Sequence, residues 1–438
     1  MKRLFGFAVV DHRHVFAIAL PMIISNIAAP LLGLVDTAII GHLPETQYLS
    51  AVAIGAMVIN VLYFLAVFLR MATTGFIAQA YGAGQLRQQQ RYVVHGLTIA
   101  AVFGVLLIAL QPLIITLAFW LVSPSPALAK LAQDYLNIRL LAAPAALANL
   151  VILGALLGRQ QSRSAMLLVI ITNAVNVLLD VVLIIGLNWN VRGAAWASMW
   201  AEWLTCCVGV LWLFRSLKLH WRTLPSLSLS LFKQVLGVNG DIFIRSLVLQ
   251  LCMATMTGYA TRFGETMVAV NAVLMQFLLL ISLGLDGIAY AVEALAGQAK
   301  GQNRPDRIRY WCRITLLWSL LFACCYAAIF SIAGEQIIRL LTDLPAVIEQ
   351  AVEYLPWIMV LPIIAHWSYW FDGVYIGLSL SNGMRNTMLA AGLLGFLPTW
   401  WLTQSWGNHG LWAALTVFLA MRGISQALWL LPRWQRSF

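Results

Sequence analysis

Apolar runs of about twenty residues or more follow one another from residue 15 to residue 431, each closed by a short polar break. A run of that length spans the hydrocarbon core of a bilayer as one helix. The Pro, Gly and charge punctuation predicts twelve such spans: 15–41, 50–79, 93–121, 135–158, 165–187, 193–214, 240–261, 267–298, 312–333, 351–378, 387–403 and 410–431. The longest polar gap runs from Arg215 to Asn239 and leaves no room for a soluble domain. The predicted fold class is therefore an all-α integral membrane protein with 12 transmembrane helices.

The pattern also repeats. Displaced by 219 residues, Gln79-Ala80-Tyr81-Gly82-Ala83-Gly84-Gln85 overlies Gln298-Ala299-Lys300-Gly301-Gln302, and Gly154-x-x-x-Gly158 overlies Gly373-x-x-x-Gly377. A repeat of this size in an apolar chain predicts two pseudo-symmetric six-helix lobes with a cavity, the architecture of secondary transporters. The expected divisions are an N-lobe over 1–214, a cytoplasmic linker over 215–239 and a C-lobe over 240–438. The copies differ in chemistry. Asp36 and Asp180 lie inside apolar spans of the first copy, where the second has Thr255 and Thr399.

Composition agrees with the pattern. Apolar residues make up 61% of the chain and charged residues 10%, against about 25% charged in a soluble domain. The net charge of +11 would suit nucleic acid if it were patched, but alternate loops sort it. Lys2, Arg87, Arg163, Lys218, Lys233, Arg307 and Arg385 fall on one side, with only Lys130, Arg192, Arg262 and Arg339 on the other. The positive-inside rule puts both termini in the cytoplasm, with attraction to anionic membrane lipids and no nucleic-acid partner. The first residues are not expected to form a cleavable signal, and Phe5 to Val10 is expected to lie along the inner membrane surface. The six cysteines have no metal or disulfide spacing and read as packing residues. No phosphate-binding G-x-x-x-x-G-K-[ST] motif occurs, so uphill transport has to draw on an ion gradient.

Ionisable residues inside spans cost several kcal/mol unless they face a cavity or a partner, which makes each a candidate for function. Asp36 is six residues from the outer loop at His42, Asp180 eight from that at Asn188 with Asn176 one turn below it, and Ser198 six beyond Arg192. At 1.5 Å per residue these four share a layer in the outer half. Two carboxylates, an amide and a hydroxyl either coordinate Na⁺ or share a proton; a static polar knot between helices is the bland alternative. Pro21 and Pro30 give span 1 breakable backbone. Deeper lie Arg70, Asp286, Glu293, Arg245 and Asp372, with Arg245 and Glu293 at pairing depth. Asp286 and Asp372 are the candidates there for meeting a cationic substrate. Glu202 and His366 carry no readable pattern.

These residues also carry a family likeness. Leu20-Pro21-Met22-Ile23-Ile24-Ser25-Asn26, Gly33-Leu34-Val35-Asp36-Thr37-Ala38-Ile39-Ile40-Gly41-His42, Asn173-Ala174-Val175-Asn176-Val177-Leu178-Leu179-Asp180 and Gly193-Ala194-Ala195-Trp196-Ala197-Ser198 resemble helices 1, 5 and 6 of multidrug and toxic compound extrusion (MATE) transporters. Leu69 to Gly75, Ala269 to Met275 and Asp286 to Glu293 point to the DinF branch. The resemblance implies two six-helix lobes of the MATE/MOP fold. It implies export of amphipathic, mostly cationic drugs and toxic organic compounds by alternating access, in exchange for H⁺ or Na⁺, with no other cofactor and no catalytic residue. It assigns Asp36, Asn176, Asp180 and Ser198 to the proton or cation site and the bend to Pro21. Asn26, Asn149, Arg70, Asp286 and Asp372 become candidate cavity residues. The NorM branch has a second cation site with a helix 7 glutamate; Asp372 matches its partner, but helix 7 here offers Arg245, which favours coupling through the N-lobe. The expectation is a monomeric antiporter of a bacterial inner (cytoplasmic) membrane. The alternatives are a flippase for a lipid-linked anionic substrate, for which Arg70 speaks, and a membrane enzyme, for which no catalytic cluster is found.

Overall fold

A computed structural model describes residues 3–5, 7–41, 43 and 45–437; Lys2, Gly6 and His42, used in the sequence argument, lie outside them. Among the described residues a minimal hairpin, β1 (Arg3–Leu4) and β2 (Phe7–Ala8), precedes sixteen α-helices. These are α1 (Val9–Gly41), α2 (Thr46–Leu65), α3 (Phe68–Gly82), α4 (Leu86–Ala109), α5 (Gln111–Val122), α6 (Pro126–Arg139), α7 (Ala143–Gly158), α8 (Ser162–Asp180) and α9 (Asn190–Ser216). There follow α10 (Leu229–Ala260), α11 (Glu265–Gly301), α12 (Pro305–Leu341), α13 (Pro345–Gly377), α14 (Ser381–Ala390), α15 (Leu397–Leu402) and α16 (Asn408–Ser437). Proline at the first turn of α6, α12 and α13 fixes φ where no backbone donor is needed.

Among the described residues, eleven helical stretches are long and apolar enough to cross a membrane. The predicted span 387–403 differs: α14 and α15 are joined by a π turn, Ala391–Phe396, so no single regular helix fills it. Large apolar side chains such as Ile332 and Leu340 are more than 80% exposed. That surface suits lipid and would be untenable in water.

The repeat is written into the backbone at the predicted spacing. Gly84 (φ 68°) and Asn303 (φ 56°) are both left-handed, as are Gln160 (φ 60°) and Ser379 (φ 50°). Each is followed by the same closing bond: Gln85 N–H to Ala80 O (2.9 Å), Arg304 to Ala299 (3.0 Å), Gln161 to Leu156 (2.8 Å) and Leu380 to Tyr375 (2.8 Å). This is the six-to-one bond that ends a helix and reverses the chain. The paired glycines explain the Gly-x-x-x-Gly recurrence. A methyl on Gly154 would lie 2.5 Å from the Arg70 carbonyl oxygen and one on Gly158 2.8 Å from that of Thr74. Gly373 and Gly377 meet the carbonyls of Ala289 and Glu293 in the same way, again 219 residues on.

The chain divides into two compact units: residues 24–239, and the residues up to Ile23 together with 240–438. The boundary thus falls inside α1 and not only at the linker. The first turns of α1 have aromatic partners on α12. Tyr310 Oη donates to Asp11 (2.5 Å), Trp318 Nε1 to His12 Nδ1 (2.9 Å), and Phe16 packs edge-on against Trp318 at 4.6 Å. Phe7 adds a further edge contact to Tyr310, so the segment expected along the membrane surface is a docked hairpin and helix start. The expected linker 215–239 lies outside α-helix only from Leu217 to Ser228, with one 3-10 turn at Trp221–Thr223, since α10 begins at Leu229. It is pinned to α4: Gln90 Nε2 donates to Leu217 O (2.8 Å), and Ser228 N–H donates to His95 Nε2 (3.0 Å).

Candidate ion-coupling site

Within residues 24–239, α1, α8 and α9 bring the four predicted residues together. Asn176 and Asp180 lie one turn apart on α8, and Asp180 is its last residue before a π turn, Val181–Gly186. Wide turns of this kind shift the register of following side chains and recur at functional sites. Asn173, on the same face, donates to the Ala28 carbonyl (2.9 Å), tying α8 to α1 two residues before Pro30. The helix α1 itself runs unbroken past Pro21 and Pro30.

One carboxamide organises the site. With the Asn176 amide oriented to satisfy every neighbour, its nitrogen donates to Asp180 Oδ2 (2.9 Å) and Asp36 Oδ1 (3.3 Å). Its oxygen accepts from Ser198 Oγ (2.9 Å) and the Ser198 N–H (3.1 Å). Asn176 and Asp180 are buried, and Asp36 half-buried. The two aspartates stand close enough to act on each other directly, and a proton held between them would relieve the repulsion of two adjacent carboxylates. A pair joined in this way takes up and releases protons as a unit. Turned the other way, with its nitrogen on Ser198, the amide presents its oxygen beside the carboxyls, and the four groups then offer oxygen ligands to a hard cation.

The same two helices build a second polar group one turn away. From Ser198, α9 continues through Glu202 and Thr205; from Asn176, α8 runs back to Asn173 and Thr172. With Tyr63 and Asn149 these line a cavity of about 200 Å³. Asn149 Nδ2 donates to Glu202 Oε2 (2.8 Å), and Thr172 bonds Thr205 (2.7 Å). The Asn149 carbonyl oxygen is buried with no partner among the described residues. Beside both groups lies Arg139 at the end of α6, buried against Tyr63 and Tyr135.

The pattern of these residues, and the repeat beneath them, has known relatives. A family model described as MatE matches residues 21–182 and 242–401, one segment in each copy of the repeat. The chain belongs to the MatE family. It is therefore a membrane transporter of the multidrug and toxic compound extrusion type and not an enzyme. The MatE chain is 44% identical over 429 residues to the DNA damage-inducible protein F of Escherichia coli (strain K12), covering 97% of this chain and 93% of that one. It is 25% identical over 348 residues to the probable multidrug resistance protein NorM of Thermotoga maritima, covering 77% and 74%. In fold it matches a MOP superfamily transporter from Pyrococcus furiosus with a TM-score of 0.88 at 21% identity, covering 96% of this chain and 95% of that one.

The remaining candidates of this MatE protein are dispersed. Asn149 lines the Glu202 cavity; Asn26 is half-buried on α1, and Arg70 is buried on α3, its backbone against Gly154. In the other unit, Asp372 on α13 is buried and held by three partners. It pairs with Arg245 and Arg422, and Gln426 Nε2 donates to its other oxygen at 2.8 Å. Arg245 therefore pairs with Asp372 and not with the predicted Glu293, since α13 presents its carboxylate directly to α10. Asp286 lies close enough to act on Arg245 electrostatically. A carboxylate neutralised twice is poorly placed to bind a further cation. Thr255 and Thr399 stand where the first copy has aspartates; Thr255 Oγ1 turns back to the Leu251 carbonyl (2.8 Å). Among the described residues no cluster of His, Cys, Asp and Glu has metal-binding form. The sequence reading passed over Arg139, although a charge four residues into the predicted span 135–158 was its signal.

Proposed function

We propose that the chain is a secondary antiporter that exports amphipathic organic cations in exchange for H⁺. The observation that carries this reading is the Asp36–Asn176–Asp180–Ser198 cluster, a buried and a half-buried carboxyl bridged by one amide. Proton entry at the pair and cation binding beside it draw on the same negative charge, so each weakens the other, and that reciprocal coupling is what exchange requires. With its nitrogen on the carboxyls Asn176 suits an ion-free or protonated pair, and Na⁺ would need the amide turned the other way.

Three carboxyls, Asp36, Asp180 and Glu202, face one guanidinium in this unit, an excess of negative charge suited to a cationic substrate. The lipid-linked anion reading rests on Arg70, buried on α3, and gains nothing from Arg245 and Arg422, which are engaged with Asp372. Pro21 lies two residues from the point where α1 passes between units, which suits a bend there. The protein works as a monomer in the inner membrane, and the sidedness of its basic loops supports both termini lying in the cytoplasm. The test is exchange in proteoliposomes with H⁺ and Na⁺ gradients imposed separately. A proton gradient alone drives export of a cationic dye, and a sodium gradient alone does not.

A further inference from the structure

Arg139 is only 9% exposed, and its Nε and Nη1 have no hydrogen-bond partner among the described residues. Tyr135 lies one turn earlier on α6 and acts on it electrostatically, and its guanidinium carbon lies 5.9 Å from the centre of the Tyr63 ring on α2. Arginine keeps its charge at any working pH. A permanent buried cation with spare donors is costly unless carboxylates offset it. Three act on it or are acted on by it: Asp36 on α1, Asp180 on α8 and Glu202 on α9. The other titratable groups facing it are the two phenols. Tyr135 shares the field of the aspartates, and Tyr63 that of Glu202, whose cavity it lines. Asp134, also on α6, is engaged at the surface with Arg192 (2.9 Å). Arg139 is thus within electrostatic reach of two acidic groups built on α8 and α9, and through the Tyr63 ring it abuts the wall of the Glu202 cavity.

We propose that Arg139 is the positioning residue that links the Asp36/Asp180 pair to a ligand-cation subsite at Glu202, acting as a counterion that both compete for. This rests on the reading of the aspartates as the coupling site. When the pair is fully ionised it carries two negative charges and holds the guanidinium, leaving Glu202 to an organic cation in the Asn149 cavity. When the pair takes a proton its pull on Arg139 drops by one charge. The guanidinium then shifts toward Glu202, which is one turn from Ser198 along α9, and the ligand loses its counter-charge. Proton arrival expels the cation without the two ever sharing an atom, and the spare donors on Nε and Nη1 are what the second position requires.

The experiment is equilibrium binding of ethidium, a permanent organic cation, to the purified full-length chain from mildly acid to mildly alkaline pH. The native protein binds roughly tenfold more weakly in acid, the effect of about one unit of buried charge. Arg139→Gln still binds ethidium, but the acid weakening shrinks to less than about threefold. Arg139→Lys, which keeps the charge, keeps most of it. Glu202→Gln weakens binding throughout and flattens the profile, so the idea stays testable if Arg139→Gln does not fold. An acid dependence unchanged in either Arg139→Gln or Glu202→Gln overturns the link, as does lost affinity with the native pH profile intact. Asp36→Asn separates this failure from that of the coupling site: if it too keeps the native profile, the aspartates are at fault and not Arg139.

Discussion

Asn176 donates its side-chain N–H to Asp180 at 2.9 Å, one turn along the same helix, while the same nitrogen reaches Asp36 on α1 at 3.3 Å. A single amide therefore holds two carboxyls from different helices within reach of one proton. Asn176→Ala should release that hold. It leaves buried carboxyl oxygens without a donor, at a cost of about 1–3 kcal/mol, and should abolish drug–ion exchange. Thermal melting of the detergent-purified variant and an exchange assay check both halves; native values in both would contradict the role given to Asn176.

The carboxylate of the other unit behaves differently. Asp372→Ala leaves Arg245 and Arg422 buried without their shared partner, a loss of about 3–5 kcal/mol. The melting temperature should fall steeply, and any protein that survives should keep its H⁺ dependence. A stable Asp372→Ala variant with altered ion coupling would place ion chemistry in that unit instead.

The repeat can be tested through its glycines. Gly158→Ala and Gly377→Ala each drive a methyl into a carbonyl of the facing helix, at 2.8 and 2.5 Å. Both should lose about 1–3 kcal/mol by overpacking. Gly258→Ala meets nothing within 4 Å and should be neutral or slightly stabilising. Melting curves of the three variants decide it, and equal stability would mean that the helix contacts are looser than they are drawn.

Much of this was legible in the chain. The 219-residue repeat is visible as letters and returns as backbone, because reversing a helix needs the same left-handed residue and the same glycine contact in each copy. Asp36, Asn176, Asp180 and Ser198 could be read because depth in a membrane follows from counting residues along a helix. The Asp372 cluster could not. Counting gives depth but not azimuth, so Arg245 was matched to Glu293 at its own level while Arg422 and Gln426 went unseen. Arg139 and the place of Glu202 beside Asn149 were missed for the same reason, although Asn149 itself was a cavity candidate, since facing across helices is set by packing. The π turn in the eleventh predicted span also leaves no periodic signature.

The coupling claim is tested most directly by Asp36→Asn in proteoliposomes under an imposed proton gradient. The substitution keeps the shape and a hydrogen-bonding side chain but removes one ionisable carboxyl. The protein should fold with a native melting temperature and lose proton-driven export of a cationic dye by at least about a hundredfold, as expected if the shared proton is the coupling ion. Export at the native rate from a folded Asp36→Asn protein would contradict the account.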